Sequence, residues 1–143
     1  MELVVKTFEE LNTHELYEIL RVRAAIFVVE QECVYQDLDG IDLRSVHAFL
    51  RDAGGIHACL RVFEKDENTA QMGRMLTVER GCGLGGQLLK EGIRIARDVL
   101  KKGSLYIEAQ CYATGFYERE GFRVTSEEFL EDGIPHVEMR LEF

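Results

Sequence analysis

Segments in which hydrophobic residues recur at every second position alternate along the chain with segments in which they recur at helical spacing. Each of these two patterns predicts a different kind of element. Runs with period two predict strands at residues 3–8, 47–53, 56–64, 72–78 and 105–110, with two terminal strands at 122–127 and 136–143. Apolar residues at helical spacing predict helices from residue 13 into the high 20s, over 84–102 and over 114–120. This order of strands and helices predicts a mixed α/β fold.

Local signals set the boundaries of two of these helices. Asn12 and Glu15 have the spacing of a capping box, in which each residue satisfies a backbone N–H of the other, so we expect a helix to start there. The apolar stripe from Leu84 to Leu100 is the clearest in the chain. Gly103 follows it and is the expected helix stop.

Length and composition indicate a soluble globular protein. The chain has 143 residues, of which 46% are hydrophobic and 30% charged, which suits one domain over residues 1–143. No apolar run has the length of a membrane span, and the N-terminus lacks the basic start and apolar stretch of a secretory signal. We therefore expect a cytoplasmic protein with no membrane partner.

Charge and cysteine spacing disfavour two kinds of site. The net charge of −9 would repel a polyanion, so nucleic acid is not expected as a partner. The four cysteines are widely spaced and form no close pair with one another or with histidine, which predicts reduced thiols and no metal site. Acidic residues gather over 30–42 and 127–138 and favour a cationic ligand.

The stretch VERGCGLGG, residues 78–86, delivers a glycine-rich loop into the N-terminus of the second predicted helix. Four of the six residues over 81–86 are glycine, which is more than a turn needs. Backbone N–H groups and the positive end of the helix dipole converge at this point. The loop therefore predicts a phosphate-binding site, with a purely structural turn as the alternative.

Three phosphate-binding patterns compete for the loop. The P-loop is excluded because the two residues after Gly86 are Gln and Leu, where that pattern needs Lys and then Ser or Thr. The dinucleotide pattern G-x-G-x-x-G is met by Gly81, Gly83 and Gly86, with Glu108 as a candidate ribose-binding acid. That alternative leaves too short a chain after the loop for a second nucleotide-binding half. The third pattern is R-x-x-G-x-G, at residues 80–85.

Further residues agree with the third pattern. The strand after the glycine helix is followed by residues at fixed spacing, namely Gln110, Ala113, Tyr117, Gly121 and Phe122. With the loop and the order of elements, they resemble the GCN5-related N-acetyltransferase (GNAT) family. The stretches VRAAIFVVEQ (22–31) and FLEDGIPHVEM (129–139) resemble its small bacterial ElaA-like subgroup. The resemblance implies the acyl-CoA N-acyltransferase fold, a mixed central sheet of about six to seven strands flanked by helices.

The resemblance also implies acetyl coenzyme A (acetyl-CoA) as co-substrate. Its pyrophosphate is expected on the loop, at Arg80, Gly81, Cys82, Gly83, Leu84, Gly85 and Gly86. Its acyl arm is expected along the preceding strand near Leu76 and Val78, with Gln110 and Ala113 also at the cofactor. Two departures from the family are Gln110, where Asn is usual, and a shorter segment before Arg80.

For the chemistry, the resemblance implies direct attack by an amine within a ternary complex. Tyr117, also counted as cofactor-binding, is the expected acid for the departing thiolate, and a backbone N–H near Leu76 is the expected oxyanion donor. Glu30 and His136 are the candidate bases, and loss of the amine proton to water is a further alternative.

The sequence thus predicts an N-acetyltransferase acting on a primary amine of a small, cationic acceptor. A binding module that senses acyl-CoA without turnover is the alternative from a different class, and a dinucleotide-binding protein is a weaker one. The terminal strand at 136–143 could pair across a homodimer.

Overall fold

The computed structural model describes residues 1–143, and its eight strands form one mixed sheet. The strands are β1 Glu2–Thr7, β2 Val46–Asp52, β3 Gly55–Glu64, β4 Thr69–Thr77, β5 Ser104–Gln110, β6 Arg123–Val124, β7 Phe129–Glu131 and β8 Ile134–Glu142. The helices are α1 Thr13–Arg23, α2 Leu84–Arg94 and α3 Thr114–Glu118; α1 continues as a π-helix over Ala24–Glu30 and α2 as a π-helix over Ile95–Val99. Short 3-10 helices lie at Ile41–Arg44 and Cys111–Ala113. No helix is long and apolar enough to cross a membrane.

The sheet has the order β1-β2-β3-β4-β5-β8-β6, with β7 also paired to β8. Strands β1 to β4 pair antiparallel with their neighbours in sequence, and β8 is antiparallel to β5, β6 and β7. Only β4 and β5 are parallel, because the chain crosses over through α2 to connect them. The site lies along this one parallel contact.

Two apolar clusters hold the helices on opposite faces of the sheet. The larger cluster includes Leu88, Leu89 and Ile95, which are fully buried against the sheet; burying one such side chain contributes roughly 1.5–3 kcal/mol. Helix α2 lies so close to the sheet at Gly92 that an added Cβ would be 2.6 Å from Met72 Sδ. The smaller cluster packs α1 on the other face through residues that include Ile19.

Strands β4 and β5 pair over only three residues each and then separate. The parallel register joins Thr69 to Ser104 and ends at Gln71 and Tyr106. Beyond that point β5 stays paired with β8 as far as Gln110. The gap between the diverging ends of β4 and β5 is called the wedge below, and it leaves main-chain groups of β4 without a strand partner on that side.

A β-bulge deforms β4 beside the wedge. Arg61 pairs with Gly73 and Cys59 with Leu76, so two residues of β4, Arg74 and Met75, lie opposite one residue of β3. Arg74 has a φ of 50°, in the left-handed region. A non-glycine residue there costs about 1–2 kcal/mol, so the surrounding contacts must stabilise the bulge.

The structure confirms the mixed sheet with flanking helices and corrects several details. The capping box forms, with Asn12 Oδ1 accepting from the Glu15 N–H at 2.8 Å and Glu15 Oε1 accepting from the Asn12 N–H at 3.0 Å. The sheet has eight strands rather than six to seven, because β7 was missed. The strand predicted over 122–127 is reduced to β6, and the second helix ends at Val99, before the predicted stop.

Candidate active site

A cavity of about 980 Å³ follows the wedge and joins three parts of the molecule. One end is formed by the glycine loop and the start of α2, and the middle by β4 and β5. The far end is formed by the segment after α1 and by the turn between β7 and β8. A second cavity of about 530 Å³ lies beside the loop, between the N-terminal part of α2 and the C-terminal end of α3.

The glycine loop has the backbone that its sequence predicts. Gly81 and Gly83 have φ values of 79° and 74°, which other residues adopt only with strain. Gly83 is the N-cap of α2 and provides no side-chain cap, so the N–H groups at the start of the helix are free to bind an anion. All the predicted loop residues line the larger cavity, including Arg80 and Cys82, whose side chains are exposed.

Most predicted residues of the acyl-arm region also line the cavity, and one does not. Leu76, Gln110 and Ala113 face it from both sides of the wedge. Val78 lies outside the lining, since β4 has ended at Thr77 and the Val78 N–H donates to the His57 carbonyl oxygen at 2.8 Å. This N–H is therefore already paired, and Val78 as a main-chain partner of the acyl arm stays a prediction.

Tyr117, in α3, lies against the β4 side of the wedge. Its hydroxyl is 3.8 Å from Met75 Sδ in the bulge. The ring packs edge-on against Phe116 and Phe122, with centroid distances of 5.1 and 5.7 Å. Burial raises the pKa of Tyr117 to about 12, so the hydroxyl keeps its proton at neutral pH.

Six charged side chains form a closed ring beside the far end of the cavity. In order around the ring they are Arg23, Asp37, Arg74, Asp39, Arg61 and Asp42, and each contacts the next by an ion pair of 2.6–3.4 Å. This charge ring connects α1, the segment that follows it, β3 and the bulge of β4. It contains three positive and three negative groups and is mostly buried.

The charge ring keeps two of its aspartates, Asp39 and Asp42, ionised. Hydrogen bonds from Arg61 hold the pKa of Asp39 well below its usual range. Burial by itself would raise the pKa of Asp42, but hydrogen bonds and charge from Arg23 outweigh it and lower the value. Three of the five acidic residues of the stretch 30–42 are therefore paired with arginine, and a cationic ligand at this stretch stays a prediction.

The two candidate bases have different surroundings. Glu30 is outside the cavity lining, with a side chain 53% exposed and 3.8 Å from Arg80 Nη2. His136 lines the cavity and is buried; Nδ1 is 2.7 Å from the Ile134 carbonyl oxygen, which can only accept, so Nδ1 carries the proton. Its Nε2 is 3.3 Å from a Glu131 carboxylate oxygen.

Glu108 is a candidate base that the sequence pattern suggested only as a ribose ligand. It lines the cavity from β5, and Glu131 and Asp132 line the same end from the turn between β7 and β8. Burial and then the charge of Glu131 raise the pKa of Glu108, which makes its carboxylate a stronger proton acceptor. Strand alternation could have found it, since Glu108 and the predicted Gln110 point to one face.

The cysteines and the other metal-ligating side chains do not cluster. All four cysteines are free, and only Cys82 is exposed. No group of three or more His, Cys, Asp or Glu side chains is placed to hold a metal ion.

A glycine loop at a helix N-terminus, a wedge between one pair of parallel strands and a cavity along both define an acyl-CoA N-acyltransferase fold. The family model described as "Acetyltransferase (GNAT) domain" matches residues 23–143. This chain therefore belongs to the GNAT acetyltransferase family.

Individual relatives agree with this family and with its ElaA-like subgroup. A UPF0039 protein of Schizosaccharomyces pombe is 38% identical over 99% of this chain and 97% of its own length. Protein ElaA of Escherichia coli is 34% identical over 93% of this chain and 91% of its own length, and its crystal structure covers 99% of both chains with a TM-score of 0.93. The crystal structure of an acyl-CoA N-acyltransferase from Pseudomonas aeruginosa is 33% identical, with a TM-score of 0.91, and covers 98% of this chain and 99% of its own.

Proposed function

We propose that this protein transfers the acetyl group of acetyl-CoA to a primary amine of a small cationic molecule. The observation that carries the proposal is the continuous cavity from the glycine loop, along the wedge, to an end lined by acidic side chains. Membership of the GNAT family supports the acyl-CoA part of the proposal, as does the similarity to the Pseudomonas aeruginosa acyl-CoA N-acyltransferase.

The cofactor end suits a long molecule with phosphates at one end and amides along its length. Free N–H groups at the start of α2 would bind the pyrophosphate, with Arg80 beside them. Main-chain groups of β4 that lack a partner in the wedge would pair with the amides of the acyl arm. Lys90 and Arg119, which line the smaller cavity, would contact a further phosphate.

Acetyl-CoA supplies a thioester that a neutral amine can attack. In our proposal, Glu108 accepts the amine proton, directly or through water, because its raised pKa suits that role. Main-chain N–H groups of the β4 bulge donate to the thioester oxygen as it gains negative charge. Tyr117 gives its proton to the sulfur as the carbon–sulfur bond breaks, so the products are the acetylated amine and coenzyme A. His136 is the second candidate base because it lines the same cavity.

The acceptor end favours a positively charged molecule. Glu108, Glu131 and Asp132 line it, and none of them belongs to the charge ring. A diamine could place one ammonium group near these carboxylates while its other, neutral nitrogen reacts. We therefore expect a diamine to have a lower KM than a neutral primary amine of the same length.

The test uses two substitutions at Gly86. An added Cβ there meets no atom within 4 Å, and Asp or Asn is acceptable in the first turn of a helix. Gly86→Asp places a carboxylate where the pyrophosphate is expected, and Gly86→Asn is the neutral control of the same shape. We expect acetyl-CoA at 100 times its Kd to stabilise wild type and Gly86→Asn by roughly 2.7 kcal/mol, with no stabilisation of Gly86→Asp.

Turnover is then followed by release of the coenzyme A thiol with a panel of diamines and neutral amines. Stabilisation by acetyl-CoA without thiol release from any amine would support the sensing module instead of an enzyme. Stabilisation by NAD and not by acetyl-CoA would contradict the proposal and favour the dinucleotide alternative.

A further inference from the structure

The β4 bulge contains a residue whose backbone conformation is not that of a β-strand. Arg74 is one of four non-glycine residues with positive φ, and it is the one that lies within a strand. Such a conformation persists only where the surroundings hold it, and it is found preferentially at functional sites. The question is which contacts hold Arg74.

The guanidinium group of Arg74 is fixed on several sides. Nε lies 2.9 Å from Asp37 Oδ1, and Nη2 donates to the Asp37 carbonyl oxygen at 3.1 Å and lies 3.4 Å from Asp39 Oδ2. The group also lies over the Tyr35 ring, 5.3 Å from its centroid, and the Tyr35 hydroxyl donates to Asp37 Oδ1 at 2.8 Å. The side chain is therefore held by the segment that follows α1.

That segment is itself fixed to the sheet by the rest of the charge ring. Arg23 binds Asp37 and Asp42, and Arg61 binds Asp39 and Asp42. The ring thus connects the bulge to α1 and β3 through contacts that do not depend on β4 pairing. The residues that line the cavity include Arg74 and Met75 of the bulge as well as Tyr35 and Asp39.

We propose that Arg74 is a positioning residue, which closes the charge ring and thereby holds the β4 main chain at Met75 and Leu76 in the position that receives the thioester. The expected effect of Arg74 on catalysis rests on the proposed function. Its expected effect on the conformation of the bulge does not. Arg74 itself does not contact the reacting atoms in this role; it acts through the main chain next to it.

Arg74→Asn is the test variant because asparagine tolerates the left-handed region while the ion pairs are lost. Asp37 keeps Arg23 and Asp39 keeps Arg61 in this variant, so we expect it to fold. Arg74→Lys keeps the charge without the planar guanidinium group that contacts both Asp37 and Asp39, and it should give an intermediate result. Arg97→Asn, at an exposed ion pair with Asp98, is the matched control.

Two readouts are measured. Amide hydrogen exchange of the free protein should be faster over residues 72–77 in Arg74→Asn and unchanged in the control. The kcat should fall by roughly 10- to 100-fold, the effect of a small misplacement of reacting groups, while the Kd of coenzyme A should change by a much smaller factor, because its pyrophosphate is expected at the glycine loop. A merely structural role would lower the amount of folded protein and would not separate kcat from coenzyme A affinity.

The proposal is overturned if exchange over residues 72–77 is unchanged, or if kcat stays within twofold of wild type. If Arg74→Asn does not fold, Arg74→Lys is judged by the same two criteria. A wild-type protein that releases no thiol with any amine refutes the proposed function, and the exchange experiment still decides whether Arg74 holds the bulge.

Discussion

The two ends of the cavity are built in different ways. The cofactor end consists mainly of main chain, supplied by one short stretch from β4 through the glycine loop into α2. The acceptor end consists of side chains from several separate segments, including Tyr35, Arg74, Glu108, Glu131 and His136. A main-chain site tolerates changes of side chain, whereas a side-chain site changes with each substitution. The comparison suggests that relatives can share the first end and differ in the second.

The sharpest test lies at the border between the two ends. Tyr117→Phe removes the hydroxyl but keeps the ring that packs against Phe116 and Phe122. If Tyr117 is the acid, kcat should fall by roughly 10²- to 10⁴-fold, the usual contribution of a positioned proton donor. The Kd of acetyl-CoA should change little, because that end of the site is main chain. Steady-state kinetics and calorimetry measure the two values. Loss of affinity with unchanged kcat would assign Tyr117 to cofactor binding only.

The charge ring should carry a large share of the stability of the acceptor end. Arg23 is 1% exposed and binds Asp37 and Asp42, so Arg23→Ala leaves an uncompensated negative charge in the interior. Removing one partner of a buried ion pair typically costs about 3–5 kcal/mol. Arg21→Ala, at an exposed pair with Glu18, is the control and should cost less than about 1 kcal/mol. Denaturant unfolding compares them; equal losses would show that the ring adds no more than a surface pair.

The pH dependence of activity should change only when residues of the acceptor end are substituted. The charge of Glu131 helps to raise the pKa of Glu108, so Glu131→Gln should lower that pKa. Glu108 would then be ionised at lower pH, and the acid limb of kcat/KM for the amine should move downward by less than about one pH unit. A shift in the opposite direction, or no shift, would contradict Glu108 as the base.

Glu108→Gln and His136→Gln distinguish the two candidate bases. Only the substitution that removes the true base should abolish the acid limb of the kcat/KM profile.

The smallest effect is expected in the glycine loop itself. Cys82 lies between two glycines, and its side chain is exposed. If the loop binds phosphate through its main chain, Cys82→Ala should change the Kd of acetyl-CoA by no more than about twofold, as for most surface substitutions. Calorimetric titration of both proteins measures this. A much larger loss would mean that the thiol takes part in binding, and the distinction between the two ends would be weaker.

The same difference explains which features could be predicted from the sequence. The loop residues are contiguous and rich in glycine, so their local pattern was enough to place them. The fold followed from the order of elements, although β7, with three residues, was too short to give a period. The left-handed φ of Arg74 carried no signal, because a bulge depends on the register of two strands.

The acceptor end was harder to predict because its residues are distant in sequence. Of the two bases that the family resemblance implied, His136 lines the cavity and Glu30 lies outside it. The acidic stretch 30–42 suggested a cation site, but its aspartates are matched by three arginines from α1, β3 and β4. Composition counts charges and does not show which of them are paired in the folded chain.

The short parallel contact between β4 and β5 also has a consequence for how the chain folds. Strands β2, β3 and β4 pair with their neighbours in sequence through short turns, so these contacts require only short loops to close. The three residue pairs that join β4 to β5, with the buried hydroxyls of Thr69 and Ser104 3.2 Å apart, bring together segments separated by a whole helix. We expect this junction to form late, so weakening it by Ser104→Ala should speed unfolding and leave the folding rate nearly unchanged in stopped-flow measurements.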